Sequence, residues 1–509
     1  MQEFLESHLW KATLAAPQAA DPYSEPRRIL RDAFLSFRQR AEILAAEIAR
    51  DLPSFTVHDI SHLDALWETA GLIAGENYSL TPSEVFVLGC SFLIHDLGMG
   101  LAAYPGGLES VRQDPRWSDL LTQIYLEKNG CFPTQEQLDN PDAEIQLQAT
   151  AEVLRILHAK QAEALAFATW QSKSGEVYHL LENTDLRVIY GKLIGRIAHS
   201  HWWQASALPE EFMTSVGAPT FAPPSWTVDA LKLSCLLRVA DAAHLDARRA
   251  PGFLRTIRRP AGISDEHWQF QSMLQKPQVK EDRLVFTSPC SLPIQNAPAW
   301  WLCYETLKMV DWELDQVDRI LGDHQRPRLR ARAVAGVDSP RELTAYIPTD
   351  HWIPIDASVR VGDVAELVKR LGGAALYGDD PIVPLRELIQ NASDAIRARR
   401  VVDETPDWGA IFLRLGKDGS AWYVEVEDNG IGMSEKVLTG ALLDFGNSYW
   451  SSPAMIHDFP GLLSSGFRST GKYGIGFFHF SCGAREFKLE RDALKTGERK
   501  QGFSNSPMV

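Results

Sequence analysis

The sequence predicts two modules in series: an all-helical N-terminal module carrying a small β-hairpin, then a C-terminal α/β module. Three observations predict this. Apolar residues recur at helical spacing through most of the first 321 positions. His and Asp appear abruptly at the ends of otherwise apolar helical runs. Beyond a proline-containing stretch at 337–352, the pattern changes to a helix, an alternating pair of strands and glycine-rich turns. A chain of 509 residues also exceeds one ordinary core, so more than one domain is expected.

Composition narrows the function classes. Hydrophobic residues make up 45% and charged residues 23%, which is ordinary globular material. The net charge of −15 argues against bulk-charge binding to nucleic acid or an anionic membrane, and leaves a local nucleic-acid groove open. Six cysteines at 90, 131, 235, 290, 303 and 482 form no CxxC pair, so neither a disulfide framework nor a cysteine zinc site is expected. A reducing, cytoplasmic location fits that usage. No secretory leader and no membrane span is expected from the apolar run lengths.

Residues 1–26 read as a loosely held lead-in. A helix follows over 26–50, with Ile29, Leu30, Phe34, Phe37, Ile43, Leu44 and Ile48 on its apolar side, and Pro53 stops it. In FTVHDISHLDALW at 55–67, His58 and His62 lie one helical turn apart. The next helix, from Pro82, is very apolar (VFVLGCSFLIHDLG) and ends in His95 and Asp96. Ionisable groups buried there are unfavourable unless they coordinate something, and both types ligate divalent transition metals. IGRIAHSHWW at 194–203 adds His199 and His201, and LKLSCLLRVADAAHLD at 231–246 presents Asp241 from an apolar helix.

The order His62, His95–Asp96, Asp241 resembles the HD-domain superfamily of metal-dependent phosphohydrolases, and LLRVADAAHLD is similar to the helix carrying that family's last ligand. The resemblance implies that His62, His95, Asp96 and Asp241 hold a divalent transition metal such as Mn2+, Fe2+ or Zn2+. The HxxxH also looks like the start of cyclic-nucleotide phosphodiesterase sites, which makes His58 the candidate general acid toward the leaving oxygen. His201, and after it His199, sits where two-metal members place extra ligands. Met99 departs from the polar residue or His that many members carry there, which leaves the substrate pocket undefined. The implied reaction is hydrolysis of a nucleotide-type phosphoester.

Residues 100–190 read as an insertion, helical over 143–170, that could cover the site. HWQFQSML and RLVFT, separated by QKPQVKED, read as a β-hairpin. Residues 299–321 are a helix with Leu307, Val310, Leu314, Val317 and Ile320 in its stripe. The expected organisation is thus a lead-in at 1–26, a helical domain at 27–336, a linker at 337–352 and a second domain at 353–509.

A helix is expected at 361–371, and another over 385–397, LRELIQNASDAIR. In the latter, Glu387, Asn391 and Asp394 share one face. An acid and an amide so placed suit a magnesium–phosphate site. Strands at 411–415 and 422–427 form a hairpin leading into Asp428, Gly430, Gly432 and Met433, and GKYGIGFF at 471–478 follows. These three ordered boxes resemble the GHKL ATPase superfamily, with wording closest to the ninety-kilodalton heat-shock chaperones. The resemblance implies an α/β sandwich, the Bergerat fold, binding ATP and Mg2+. Glu387 would activate water and Asn391 would ligate magnesium. Asp428 would read the adenine amino group, with Gly430 and Gly432 letting the backbone approach and Met433 packing on the base. Asp394 would reach the nucleotide through water. Gly471, Gly474 and Gly476 would admit the phosphates, with Lys472 contacting them, and 447–470 would be the lid. A further strand and a following basic domain usual in that family are not visible, so a C-terminally incomplete ATP module, or a partner supplying the rest, is expected. Homodimerisation is an open assembly.

The leading expectation is an ATP-binding module regulating an HD phosphohydrolase, with bacterial stress or phage defence as an analogy. The alternative is a chaperone-like conformational ATPase with a non-catalytic HD binding domain.

Overall fold

Helix α1, Ser24–Asp51, turns Leu30, Phe34, Phe37, Ala41, Ala45 and Ile48 inward at helical spacing, and this stripe seeds the first core. The computed structural model describes residues 3–15, 21–356, 382–419, 421–434, 437–442 and 448–470. Contacts divide the chain into two units, Met1–Val111 with Thr150–Ala357, and Arg112–Ala149 with Ser358–Val509.

The first unit is helical. Helix α2, Ile60–Ala74, starts where the Asp59 carboxylate accepts from the Ser61 amide and stops at Gly75, whose φ of +83° is readily available to glycine. Helix α3, Pro82–Ile94, opens with a Thr81/Glu84 capping box and is buried along its whole length. Trp67 of α2 lies so close to α3 that a Cβ at Gly89 would meet its ring at 2.3 Å. Aromatic edges from Phe4, Trp10, Phe34 and Trp67 meet with ring centroids 5.1–6.0 Å apart. Residues 3–14 are therefore part of this core, whereas the sequence reading made them a loose lead-in. Phe4, Leu9, Trp10 and Leu14 are too short a run to register as periodicity, but all are buried.

Four more helices complete the frame around the site. In chain order, one belongs first to the second unit: α4, Pro115–Asn129. Then come α5, Ala143–Leu165, α6, Thr184–His199, α7, Ala230–Ala243, and α8, Ala297–Asp323. The α8 stripe buries Leu307, Val310, Leu314, Val317 and Leu321. The expected hairpin exists but is shifted. Gln278–Lys280 pairs antiparallel with Arg283–Val285, and the latter pairs parallel with Ala333–Val334. HWQFQSM instead lies in a helix, Ile263–Met273, that buries Trp268, Phe270 and Gln271. Its short alternation fits helix and strand spacing alike, and packing decides. Residues 337–352 fold into this unit: Ile347 accepts from the Trp300 ring, and the Trp352 ring donates to Leu292.

In the second unit, α9, Val383–Val402, carries the acid/amide face, and strands Ile411–Asp418 and Ala421–Asp428 form a regular antiparallel hairpin. A Cβ at Gly430 would meet the Ala395 backbone at 2.6 Å, and the Ile431 amide donates to the Ala395 carbonyl at 3.1 Å. The turn after the hairpin is thereby seated on α9. Phe412, Leu413, Leu415, Trp422, Tyr423 and Val424 are exposed on the hairpin. The described residues of this unit hold one helix–hairpin layer, and a complete Bergerat sandwich is not evident among them. Fully buried Asp119 of α4 accepts from the amides of Gly461 at 2.5 Å and Ser464 at 2.7 Å, holding that loop.

Candidate metal centre

Three elements of the first unit deliver four side chains to one point. Asp59 caps α2, so His62 faces inward in its first turn. α3 ends at Ile94, and His95 and Asp96 follow immediately, where backbone carbonyls are no longer masked by the helix. Asp241 projects from the last turn of α7. His62 Nε2 lies 3.6 Å from Asp96 Oδ2 and 3.5 Å from Asp241 Oδ1. His95 Nε2 lies 3.2 and 3.4 Å from the same two oxygens.

The other oxygen of Asp96 faces a second group. His158 Nε2 is 3.7 Å and His201 Nε2 3.9 Å from Asp96 Oδ1, and the two ring nitrogens are 3.1 Å apart. Within each group, one atom per residue can be chosen so that all lie within 4.8 Å of one another. Asp96 is thus common to both. His201 is presented by the turn after α6, which Arg238 holds by donating to the carbonyls of Ser200 at 2.8 Å and Trp203 at 2.7 Å. Arg238 is itself anchored by Glu313 of α8. His158 comes from α5, inside the inserted segment. It reaches Asp96 because Gly98 has no side chain: a Cβ there would lie 2.4 Å from the His158 carbonyl.

The donor chemistry fits metal ions. The Nδ1 atoms of His95, His158 and His201 contact the carbonyls of Phe92, Arg155 and Ala198 at 2.9, 2.7 and 2.5 Å. A carbonyl only accepts, so each Nδ1 carries the proton and each Nε2 offers its lone pair to the centre. His95 Nε2 is fully buried and, despite its nearness to two carboxylates, has no aligned hydrogen-bond partner. Burial opposes ionisation of His95, but Asp96 and Asp241 outweigh it and push its pKa well above the usual range. Asp96 and Asp241 are likewise held well below theirs, against burial, chiefly by His95. The pocket therefore demands positive charge beside its carboxylates, which a divalent ion would supply.

Two neighbours complete the centre. The His58 Nδ1 contacts the Thr56 carbonyl at 2.7 Å, and its Nε2 accepts from Arg249 at 2.8 Å. Burial, with Arg249 adding, pushes the His58 pKa down to about 3, so the ring is neutral here. His244 stacks on His62 with centroids 5.0 Å apart and Nδ1 atoms 2.8 Å apart. His199 is not in either group; it pairs with Glu163 at 3.0 Å. Sequence reasoning missed His158, His244 and Arg249. His158 is a single histidine on a helical face, without a second His or Asp at ligand spacing.

In the second unit the expected nucleotide residues among those described lie on α9, at the end of the hairpin and on the turn after it. Glu387 is partly buried, 3.8 Å from Arg386, and Asn391 is exposed. Asp394 is fully buried, where the sequence reading expected it to reach a nucleotide through water. Its carboxylate accepts from the Thr470 amide at 2.8 Å and pairs with Arg397. Asp428 Oδ1 accepts from the Gly430 amide at 2.8 Å. Gly432 has φ of +71°, and Met433 is partly buried. The helix expected at 361–371 and Gly471, Lys472, Gly474 and Gly476 lie outside the described residues.

A family model described as HD-CE matches residues 52–316, which include every side chain of both groups. No curated protein and no solved structure matches the chain. No described helix is long and apolar enough to cross a membrane.

Proposed function

Because the chain belongs to the HD-CE family, we propose that its helical unit is a metal-dependent phosphohydrolase acting on a nucleotide-type phosphoester. The observation that carries this reading is Asp96, whose two oxygens face two separate groups of histidine nitrogens. His62, His95, Asp96 and Asp241 would hold one ion, and Asp96, His158 and His201 a second. Bound divalent ions lower the pKa of water and polarise phosphoryl oxygens. His95, His158 and His201 keep their tautomers through backbone carbonyls, so their lone pairs stay directed at the centre. His58 serves as the acid toward the leaving oxygen only once Arg249 has left its Nε2 and that nitrogen has taken up a proton, since it is an occupied acceptor in this arrangement.

We read the second unit as an ATP-binding, GHKL-like regulator of that activity, with Glu387, Asn391 and Asp428 in the roles the resemblance implies. The seating of the Asp428–Gly430 turn directly on α9 supports this reading, because it brings two of the three boxes together. A role in bacterial stress or phage defence rests on analogy with fused sensor–effector architectures.

The test is phosphate release from a nucleotide panel with Mg2+, Mn2+, Fe2+ or Zn2+, comparing wild type with Asp96→Ala and Glu387→Ala. Asp96→Ala is expected to abolish turnover while Glu387→Ala changes its response to ATP. Turnover lost only in Glu387→Ala would favour a conformational ATPase with a passive HD unit.

A further inference from the structure

Arg249 is a buried cation that no carboxylate among the described residues contacts: burial disfavours its charge, and Asp241, Asp96, Asp246 and Asp59 favour it only from a distance, too weakly to offset that. The residue is nine-tenths buried, at 9% exposure. Among the described residues no carboxylate lies within ion-pair distance of it. Its neighbour Arg248, by contrast, pairs with both Asp246 and Glu68. The Arg249 guanidinium spends its donors on histidines: NH2 on His58 Nε2 at 2.8 Å, and NH1 on His62 Nδ1 at 3.1 Å. Its Nε is fully buried with no hydrogen-bond partner.

That placement has an electrostatic consequence. NH1 also lies 3.5 Å from His62 Nε2, the nitrogen directed at the Asp96 and Asp241 carboxylates. A guanidinium next to a ligand of a divalent ion repels that ion across a poorly screening interior. Burying an unpaired charge there is unfavourable unless an anion completes the arrangement. The missing partner must be anionic, must reach both the metal centre and Arg249, and must accept N–H donors at more than one oxygen. A phosphoryl group meets all three conditions, and a guanidinium fork matches its oxygens.

We propose that Arg249 is the phosphate clamp of this centre: it binds non-bridging oxygens of the substrate phosphoryl group, exchanging its contacts with His58 and His62 for that anion. The inference rests on the phosphohydrolase reading and adds to it the residue that grips the phosphate. Arg249 belongs to no metal group, so its removal separates anion binding from metal binding.

The experiment measures binding of inorganic phosphate to the full-length, manganese-loaded chain by calorimetry, alongside its bound metal by elemental analysis. Arg249→Gln is expected to weaken phosphate at least tenfold with metal content unchanged, and Arg249→Lys to recover part of the loss. Phosphate affinity equal to wild type in Arg249→Gln overturns the clamp, as does a wild-type chain that binds no phosphate. Parallel loss of metal and phosphate in both variants also overturns it, because Arg249 would then act by positioning His62. Should Arg249→Gln fail to fold, Arg249→Lys decides: full metal with several-fold weaker phosphate supports the clamp, and unchanged phosphate overturns it. The hydrolase reading fails separately. Arg249-dependent phosphate binding without turnover of any ester leaves the clamp standing and removes the enzyme, whereas turnover with an unaltered Arg249→Gln phosphate affinity does the reverse.

Discussion

The metal centre of the first unit and the acid/amide helix of the second both gather polar side chains that the sequence singles out, but they satisfy them differently. At the metal centre His95, His158 and His201 fix their Nδ1 atoms on backbone carbonyls and aim Nε2 inward, where His95 Nε2 finds no aligned partner. In the second unit the carboxylates already have partners: Asp394 caps the Thr470 amide and Asp428 caps Gly430. A buried polar atom left without a partner calls for a ligand, whereas a carboxylate that closes a turn explains its own presence. The first arrangement therefore points to metal from its geometry alone. The nucleotide reading of the second draws on the wording of its boxes.

Substitutions can break that contrast. The largest effect is expected at Asp96, which serves both groups: Asp96→Ala should reduce hydrolysis to background in a phosphate-release assay. Next comes the second unit. If it binds ATP as proposed, Asn391→Ala and Asp428→Asn should each weaken ATP at least tenfold by calorimetry. No change in either would leave those residues with structural roles only. Asp119→Ala strips two amides of their buried acceptor, at roughly 1–3 kcal/mol each. Chemical denaturation should show a loss of about 2–6 kcal/mol, and hydrogen exchange should rise first around 461–464. A smaller effect is expected at Gly98→Ala. Its Cβ would collide with the His158 carbonyl, and overpacking of this kind costs roughly 1–3 kcal/mol. Thermal melts should record that cost, and the second metal should bind more weakly while the first is retained.

Legibility in the sequence followed the same divide. His62, His95, Asp96 and Asp241 stand at the ends of strongly apolar helices, where an ionisable residue contradicts the pattern and draws notice. His201 stands out beside His199 in HSH, but spacing alone could not tell which one turns inward. The turn held by Arg238 decides that. His158 was invisible because its partners lie on other helices, and Gly98, which lets it approach, reads as an ordinary helix stop. Arg249 lies just beyond the Asp241 phrase, and nothing local marks it as unpaired, since that property depends on where every carboxylate ends up. The hairpin near 280 was found but displaced, because HWQFQSM alternates over too few residues to exclude a helix. The long stripes of α1 and α8 were the most readable parts of the fold, although Ile43, assigned to the apolar side of α1, is 68% exposed.

The central claim is that one carboxylate, Asp96, joins two metal groups. Counting tightly bound divalent ions per chain by elemental analysis tests it most directly. The account predicts two in wild type, one in His158→Ala and none in Asp96→Ala. A single ion in wild type that His158→Ala leaves untouched, or full occupancy in Asp96→Ala, would contradict it.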